Sequence, residues 1–363
     1  MKILVIAGRY GVSGVPLAQM RMARALALRG HQVVLVYGLV NDRGKLPKID
    51  GVAVVEIGKA RVIQMLVPLM RYFLEESPDI VFSAGDHLNV VVLLAAILTR
   101  TSAKISCSSR VTPYDTYSGG LLSKGSILKL SFLFTQWRAD VLTCVSLDMV
   151  GQYRRMFTRA RHVCVYNIVD DRRSRELMKE EVDEVWLRSR QEVVLIAAGS
   201  LVPWKGFDDL LSAMSLVVRR RNVRLLVLGE GPERKELERL IRLLSLKDHV
   251  KLLGNVDNPL AFFSKANVFV SSSHVEGLPN VLVEAMLCGC TPVATDCPTG
   301  PREVLQGGKF GYLVPVRDPD ALADGILSAI DSPISHQMLI AAIRDFHEDV
   351  VVARHFKLLG FDY

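Results

Sequence analysis

Short apolar runs alternate with helical patterns along nearly the whole chain, and no other feature constrains its fold as strongly. Most of the runs are unbroken stretches of Val, Ile and Leu, which is typical of parallel strands covered on both faces. Amphipathic stretches between them predict helices, for example over residues 17–29, 207–219 and 233–246. The alternation predicts an α/β protein with doubly wound parallel sheets. We expect strands over residues 3–7, 33–37, 52–57, 80–83, 105–108, 141–145, 163–166, 193–198, 224–228, 250–253, 268–271, 292–295 and 312–314.

The number of strands and the chain length both predict two domains. The chain has 363 residues, whereas a domain commonly holds ~100–200. The stretch 170–191 is charged and lacks a strand pattern, so it can join two domains. We expect Rossmann-like domains over 1–170 and 171–345. The tail carries helical segments but no strand, and we expect its last helix, within 346–363, to pack back on the first domain.

Composition excludes several classes of protein. Half of the residues are hydrophobic, which excludes a disordered chain. The six cysteines include no C-x-x-C pair, so we expect buried free thiols in a reducing cytosol rather than a zinc or redox site. The first apolar run is too short for a signal peptide. The longest run, over 90–98, is too short to cross a bilayer, which takes about 20 residues. We therefore expect a cytoplasmic protein that does not span a membrane.

The charge of the chain is divided unequally along its length. Residues 1–175 hold 24 Lys and Arg against 12 Asp and Glu, a formal charge of +12, and the remainder carries −5. Such a division predicts that the first half faces an anionic partner. No nucleic-acid-binding motif is present, so an anionic membrane surface is preferred to nucleic acid, and a peripheral position on the inner face of the membrane is expected. The basic residues cluster at Arg154, Arg155, Arg159, Arg161, Arg172, Arg173 and Arg175, with Lys124 and Lys129 upstream.

A glycine-rich turn joins the first strand to the first helix. Glycines stand at positions 8, 11 and 14, where they let a backbone approach a ligand closely at a helix N-terminus. The spacing does not match the Gly-x-Gly-x-x-Gly dinucleotide fingerprint. A simple tight turn explains the glycines equally well.

The second half opens with a strand followed by Lys205 and Gly206. A lysine after a parallel strand lies at the edge where α/β sheets bind ligands. Its ammonium could neutralise a diphosphate leaving group there. The alternative is a solvated surface lysine, which is the commonest fate of this residue type.

Two glutamates, Glu276 and Glu284, flank the start of a later helix. Glu276 falls on the loop after a strand, and Glu284 falls in the second turn of a helix whose first residue is predicted to be Pro279. The free N–H groups of that helix start, near Asn280–Leu282, could hold a phosphate. Glu276 could instead complement the helix dipole, and Glu284 could be the buried partner of an arginine. The spacing favours ligand binding for both.

These motifs together resemble the retaining glycosyltransferases of family 4, which have the GT-B fold. The resemblance covers most of the chain and is strongest over 199–321. It rests on Gly199, Leu201, Lys205 and Gly206, on 228–232, on the Glu-x7-Glu motif at Glu276 and Glu284, on 289–295 and on 311–315. Weaker landmarks are Gly14, 29–31, 139–140, 145–146 and 167–170.

The resemblance implies two domains that face each other across a cleft. It implies transfer of a hexosyl or N-acetylhexosaminyl unit from a nucleotide sugar, with UDP-sugar the expected donor, to a glycan or lipid-linked acceptor in cell-surface polysaccharide assembly. The anomeric configuration would be retained, and no metal or other cofactor would be needed.

Site residues follow from the same resemblance. Lys205 and Glu276 would be the catalytic pair, with Lys205 on the donor diphosphate and Glu276 on the donor-sugar hydroxyls. Glu284 would bind the ribose, and the loop over 254–256 would pack on the base. The remaining donor-binding set would be Gly14, Ser200, Asn255, Val256, Gly277, Leu278, Asn280 and Val281.

Three departures from the family pattern matter. Ser200 stands where the family usually has an arginine, so Arg9 or Arg302 would have to supply that diphosphate contact. The paired glycines of the first turn appear as Ser13 and Gly14. The usual acceptor-side histidine has no clear match, and the candidates in its place are His87, Arg110 and Asp115.

Two further segments have competing interpretations. Asp318-Pro-Asp320 has the form of a metal-binding D-x-D motif, but a helix N-cap followed by proline explains it better. The stretch 121–140 mixes basic and apolar residues, as a membrane-surface helix does, and a core helix explains it at least as well.

Two other functions stay open on the sequence. One is a non-catalytic relative that binds a nucleotide sugar, and Ser200 together with the unmatched histidine supports it. The other is a different GT-B enzyme, such as a sugar-nucleotide epimerase or a phosphorylase. A phosphorylase would need a much longer chain.

Overall fold

The computed structural model describes residues 1–11, 14–40, 46–120, 123–188 and 192–362. Contacts divide the chain into two compact units. Unit 1 comprises Met1–Ile168 and Phe346–Tyr363, and unit 2 comprises Val169–Asp345. Each unit is built around its own parallel sheet.

Unit 1 contains a seven-stranded sheet with the order β3-β2-β1-β4-β5-β6-β7. Its elements are β1 Lys2–Arg9, α1 Gly14–Leu28, β2 Gln32–Leu39, β3 Val52–Glu56, α2 Leu66–Glu76, β4 Ile80–Ala84, α3 Asp86–Thr99, β5 Lys104–Ser109, α4 Pro113–Thr116, α5 Lys124–Thr135, β6 Val141–Cys144, α6 Leu147–Met156 and β7 His162–Cys164. Every strand pair is parallel, and Ile3 of β1 lies in register with Val33 on one side and Ile80 on the other.

Unit 2 contains a six-stranded parallel sheet with the order β10-β9-β8-β11-β12-β13. Its elements are α7 Arg172–Leu177, α8 Val185–Arg188, β8 Val193–Ala198, α9 Phe207–Val217, β9 Val223–Leu228, α10 Arg234–Leu243, β10 Val250–Gly254, α11 Pro259–Phe263, β11 Val268–Ser271, α12 Asn280–Leu287, β12 Thr291–Thr295, α13 Pro301–Val304, β13 Tyr312–Val314, α14 Pro319–Asp331 and α15 His336–Ala342. After unit 2 the chain returns to unit 1 and forms α16 Glu348–Leu359.

The predicted fold class is confirmed, because both sheets are parallel, doubly wound and Rossmann-like. All thirteen predicted strands are present, with ends within two residues of those expected. The apolar runs locate the strands because each central strand is covered on both faces, as in β1, where residues 3–7 are buried. Strand ends shift where polar residues continue the pairing, as Arg9 does opposite Leu39.

Local details correct or settle several expectations. Pro279 is the N-cap of α12, one residue before the first helical position predicted for it. Asp318 is the N-cap of α14 and accepts a hydrogen bond from the Ala321 amide at 2.9 Å, so it has the capping role that the sequence allowed. All six cysteines are buried free thiols, as predicted. Among the described residues, no helix has the length and apolar character needed to cross a bilayer.

The prediction that the clustered arginines belong to the first domain is wrong for three of them. Arg172, Arg173 and Arg175 belong to unit 2, because α7 packs against α11. Arg172 and Arg173 both pair with Glu176, and Arg175 pairs with Asp170 at 2.6 Å. These arginines are balanced locally by carboxylates, which a count of formal charge along the chain does not show.

Helix α16 completes the core of unit 1. Val351, Val352 and Phe356 join the core cluster built on β1 and β2, and Phe356 stacks on His31 with ring centroids 5.3 Å apart. His355 packs edge-on against Phe82 at 5.1 Å. Burial lowers the pKa of His355 to about 3, so this side chain is neutral in the folded protein at neutral pH.

We expect Phe356→Ala to lower the free energy of unfolding of unit 1 by about 3–5 kcal/mol, because the change leaves a cavity in a closely packed core. Chemical denaturation followed by circular dichroism measures the change. Leu358→Ala in the same helix is the control, since Leu358 is 37% exposed. Equal losses for the two variants would contradict the role of α16 in the core.

Candidate functional site

The site predicted in the second half lies at the carboxyl edge of the unit 2 sheet. Strand β8 pairs with β9 on one side and with β11 on the other. The chain leaves β8 toward β9 and leaves β11 toward β12, so the two connections diverge and open a crevice between them. The turn after β8 carries Lys205, and the loop after β11 carries Glu276.

Lys205 and Glu276 meet in this crevice. The Lys205 ammonium donates a hydrogen bond to Oε1 of Glu276 at 2.5 Å, and the two side chains are 20% and 11% exposed. The Ser273 hydroxyl donates to the same carboxylate oxygen at 2.7 Å. The structure therefore joins two residues that lie 71 positions apart in the sequence.

Hydrogen bonds tie the Lys205 turn to the loop after β11. The Ser272 hydroxyl donates to the Lys205 carbonyl at 2.9 Å, and the His274 amide donates to the Trp204 carbonyl at 2.8 Å. Gly206 has φ +62°, and a Cβ on it would lie 2.2 Å from the Ser272 carbonyl oxygen. Only glycine fits there, so Gly206 allows the two connections to approach closely enough for the ion pair.

The loop that carries Glu276 is also held from its other side. The Thr299 hydroxyl donates to the Glu276 carbonyl, and the Thr295 hydroxyl donates to the Ser273 carbonyl at 2.5 Å. Gly300 has φ +93°, and a Cβ on it would lie 2.5 Å from the Pro279 ring. The Gly277–Pro279 segment that enters α12 is therefore packed directly on Gly300.

Sequence reasoning did not find these supporting residues. The supporting side chains are small hydroxyl residues near strand ends, namely Ser272, Ser273, Thr295 and Thr299. The frequency of Ser and Thr at these positions is the one feature of the sequence that could have indicated them. The contact between His274 Nε2 and Asp209 Oδ2 at 2.7 Å, across 65 residues, had no signal in the sequence.

Cys297 is a nearby thiol, but its environment keeps it protonated. Burial, together with the charge of Glu276, raises the pKa of Cys297 to about 11. A neutral thiol is a weak nucleophile at physiological pH. Cys297 therefore contributes to packing rather than to chemistry.

The start of α12 has fewer free N–H groups than the sequence predicts. The Asn280 amide donates to the Leu278 carbonyl, and the Leu282 amide donates to the Pro279 carbonyl, each at 3.0 Å. Two of the N–H groups expected to be free thus have acceptors in this structure. Glu284 lies in the second turn of α12, as predicted, and its side chain is buried.

The other predicted donor-site residues of unit 2 lie on the same sheet edge. Ser200 is exposed directly after β8. The Gly229 amide donates to the Gly254 carbonyl at 2.7 Å, which joins the ends of β9 and β10 just before Asn255 and Val256. Of these two, Asn255 is exposed and Val256 is half-buried.

The two arginines proposed to replace the missing one have different surroundings. Arg302 forms an ion pair with Asp296, with Nε 3.0 Å from Oδ1. Its charge is therefore already balanced by a neighbour. Arg9 is exposed at the end of β1, in unit 1. Gly14 is the first residue of α1, with φ +60°, and Ser13 lies outside the described residues.

Unit 1 has a cavity of about 500 Å³ at the carboxyl ends of β1 and β4. It lies at the point where the strand order of this sheet reverses. All three acceptor-side candidates, His87, Arg110 and Asp115, line it, together with Arg9. The structure thus gathers in one cavity side chains that the sequence could only name separately.

The half-buried Arg110 and the buried Asp86 both line this cavity. Arg110 donates to Asn167 Oδ1 and, at 3.4 Å, to Gln19 Oε1, and burial lowers its pKa to about 10. Its guanidinium is therefore still charged at neutral pH. Asp86 accepts hydrogen bonds from the Ser109 and Tyr153 hydroxyls, each at 2.6 Å, and burial raises its pKa.

Within the described ranges, no cluster of three or more His, Cys, Asp or Glu side chains could hold a metal ion.

Two family models match the chain, one in each half. Residues 178–346 match the model described as glycosyl transferases group 1, and residues 12–173 match the model described as Glycosyltransferase Family 4. Together the two matches cover most of both units. They support a glycosyltransferase of GT-B fold.

Two curated relatives are similar over part of their length. An uncharacterised glycosyltransferase of Methanocaldococcus jannaschii is 28% identical over 254 residues, which is 68% of this chain and 62% of that protein. The N-acetylgalactosamine-N,N'-diacetylbacillosaminyl-diphospho-undecaprenol 4-alpha-N-acetylgalactosaminyltransferase of Campylobacter jejuni is 29% identical over 167 residues. That match covers 46% of this chain and 44% of the relative.

A solved structure shares the fold over the whole chain. Anabaena HepE in complex with UDP-glucose superposes with a TM-score of 0.76 at 20% identity and covers 99% of each chain.

Proposed function

We propose that this chain, whose two halves match two glycosyltransferase families, is a retaining glycosyltransferase that uses a nucleotide sugar. The donor we propose is a UDP-sugar carrying a hexosyl or N-acetylhexosaminyl unit. The acceptor is a glycan or a lipid-linked glycan of cell-surface polysaccharide assembly. The observation that carries the proposal is the Lys205–Glu276 pair at the reversal point of the unit 2 sheet.

The relatives support the choice of donor and acceptor. The similar fold of HepE was solved with UDP-glucose bound. The name of the Campylobacter relative describes transfer of N-acetylgalactosamine to a glycan on diphospho-undecaprenol. A carbohydrate acceptor carried on a lipid therefore fits a chain of this family.

Lys205 has the chemistry needed at a diphosphate leaving group. Its ammonium has three donors, and one of them goes to Glu276. The others can bind phosphate oxygens while Glu276 holds the ammonium in place. A fixed cation of this kind stabilises the negative charge that grows on the diphosphate as the glycosidic bond breaks.

Glu276 and Glu284 can divide the rest of the donor between them. Glu276 lies in the crevice beside Lys205, where its second carboxylate oxygen can accept hydrogen bonds from sugar hydroxyls. Glu284 lies deeper, in α12, where a buried carboxylate can accept two hydrogen bonds from vicinal ribose hydroxyls. The transferred sugar would pass through an oxocarbenium-like state, stabilised electrostatically and without a named nucleophile.

The unit 1 cavity is the proposed acceptor site. His87 and Asp115 line this cavity, are exposed and could position an acceptor hydroxyl, while the half-buried Arg110 offers a fixed charge. Unit 1 also holds 23 Lys and Arg against 13 Asp and Glu, a formal charge of +10, and unit 2 carries −3. We infer that unit 1 faces an anionic membrane at its cytoplasmic side.

A second candidate is a non-catalytic protein that binds a nucleotide sugar. Two observations favour it, namely Ser200 in place of an arginine and the engagement of Arg302 with Asp296. The two candidates differ in turnover rather than in donor binding. Incubation with labelled nucleotide sugars and analysis of products separates them.

We expect Lys205→Ala to lower turnover by about 10²–10³, the usual loss for one such electrostatic contact. Turnover is measured as transfer of labelled sugar from a panel of nucleotide sugars. Glu276→Gln and the double variant Lys205→Ala/Glu276→Gln are matched controls. If Lys205 acts on the diphosphate, the double variant is much slower than Glu276→Gln alone. If the two turn over equally, Lys205 only positions Glu276.

We expect Glu284→Ala to weaken binding of free UDP, because it removes the acceptor for the ribose hydroxyls. Glu276→Gln should lower sugar transfer and change the affinity for free UDP less than Glu284→Ala does, because its amide oxygen can still accept a hydrogen bond from Lys205 and UDP has no donor sugar. Isothermal calorimetry with UDP measures both affinities. The same loss of UDP affinity in both variants would contradict this division of roles.

We expect transfer activity to survive EDTA, because Lys205 and the N-terminus of α12 can supply the positive potential that a metal supplies elsewhere. The assay is run with EDTA and then with added Mg²⁺ or Mn²⁺. Loss of activity that either metal restores would contradict a metal-independent reaction.

A further inference from the structure

A row of exposed apolar side chains runs along α5 and the short 3-10 turn Gln136–Arg138 that follows it. Ile127, Leu130, Phe134 and Trp137 are spaced by three or four residues, which places them on one side of a helix. Their exposed fractions are 59%, 56%, 70% and 70%. We call these four residues the α5 stripe. Single exposed apolar residues are ordinary, but a contiguous row marks a contact surface.

The opposite side of α5 is part of the core. Leu128 and Phe132 are buried, and Phe132 packs edge-on against Phe157 with ring centroids 5.0 Å apart. The helix is therefore anchored without the α5 stripe. The core interpretation of this stretch is confirmed for that face. The opposite face is exposed, and its membrane-surface interpretation stays a prediction.

The charges around the α5 stripe indicate an anionic partner. From Ser123 to Ala139 the sequence has no acidic residue, and it includes Lys124 and Lys129. Arg138 also lies there, but it pairs with Asp140 at 3.4 Å and is therefore balanced by a carboxylate. Unit 1 as a whole carries +10. A second copy of the chain would bring the same basic residues together across a symmetric contact, which like-charge repulsion disfavours.

The residue types also fit a lipid surface. Trp and Phe beside Leu and Ile, flanked by lysines, are the composition of helices that lie at the boundary of headgroups and acyl chains. Helix α3 packs against both α5 and α2. Leu74 of α2 and Leu98 of α3 are also exposed apolar residues on these neighbouring helices.

The α5 stripe begins next to the unit 1 cavity. A Cβ on Gly125 would lie 2.4 Å from the Ser118 carbonyl oxygen, so the first turn of α5 rests on the loop after α4. The Ser126 hydroxyl donates to the Gly120 carbonyl in that loop at 2.8 Å. Helix α4 itself contributes Asp115 and Thr116 to the cavity lining. A partner that binds the exposed face of α5 would therefore also lie close to the unit 1 cavity.

The geometry points to the α5 stripe as a membrane-docking surface, which inserts into the headgroup and acyl boundary of an anionic bilayer and brings the unit 1 cavity to a lipid-linked acceptor. The acceptor part of this statement rests on the proposed function. The docking itself can be measured on the full chain without donor or acceptor, so its failure is distinct from failure of the proposed activity.

The test uses flotation with vesicles of phosphatidylcholine containing about 30% phosphatidylglycerol, with pure phosphatidylcholine as the neutral comparison. We expect binding to the anionic vesicles, and roughly tenfold weaker partitioning for Phe134→Ser/Trp137→Ser. The control is Val185→Ser/Leu243→Ser in unit 2, whose residues are 66% and 67% exposed and which should bind as the unchanged protein does. Thermal unfolding checks that each variant is folded.

Trp137 also reports its own depth. Bromine-labelled acyl chains should quench the tryptophan fluorescence of the bound protein, and Trp137→Phe should remove that quenching while Trp186 and Trp204 remain. Full binding by Phe134→Ser/Trp137→Ser, or the same quenching in Trp137→Phe, would overturn the proposal. So would a concentration-dependent dimer, seen by ultracentrifugation and abolished in that double variant, in a protein that binds no vesicles.

Discussion

Both candidate sites depend on one constraint of the two sheets. In each unit the first strand pairs in parallel with two neighbours, one that follows it next in the chain and one that follows later. In unit 2, β8 lies between β9 and β11, and in unit 1, β1 lies between β2 and β4. The connection that leaves the first strand and the connection that leaves its later neighbour run in opposite directions, so an opening forms between them at the carboxyl edge of the sheet. The opening results from the strand order and not from any particular side chain. The Lys205–Glu276 pair lies at one opening, and the cavity lined by His87 and Arg110 lies at the other. The sheet order decides where the two openings are, and the residues of the loops around them form the candidate sites.

The sequence predicts the strands well because a strand buried on both faces must be apolar at every position. It also predicts Lys205 and Glu276 as site residues, since each lies on the connection that follows such a strand. It does not predict that the two side chains touch, because that contact depends on a glycine at 206 that lets two loops approach. The hydrogen bonds that Asp86 accepts from Ser109 and Tyr153 cannot be predicted from the sequence, for a related reason. Its partners Ser109 and Tyr153 are 23 and 67 residues away, and a buried carboxylate next to an exposed histidine leaves no periodic signal.

The distribution of charged residues along the sequence predicts that unit 1 has a positive net charge, but it does not show which basic residues pair with carboxylates. The arginines at 172, 173 and 175 form ion pairs with carboxylates in unit 2. Exposed ion pairs of this kind present little net field to a distant surface. The sequence could show that 121–140 is both basic and apolar. Only the burial of Phe132 and the exposure of Phe134 separate the side of α5 that holds the fold from the side that can meet a partner.

The return of α16 to unit 1 bears on how the chain is made on the ribosome. Residues 1–168 emerge first, but α16, which together with α1 packs in the core cluster of unit 1, is translated only after the whole of unit 2. At about 5–20 residues per second, unit 2 takes on the order of ten to forty seconds to synthesise. During that interval Phe82 and the apolar face around it lack their cover from His355 and Phe356. The nascent first domain therefore lacks part of its core until the end of translation, and unit 2 has all of its own residues before unit 1 does.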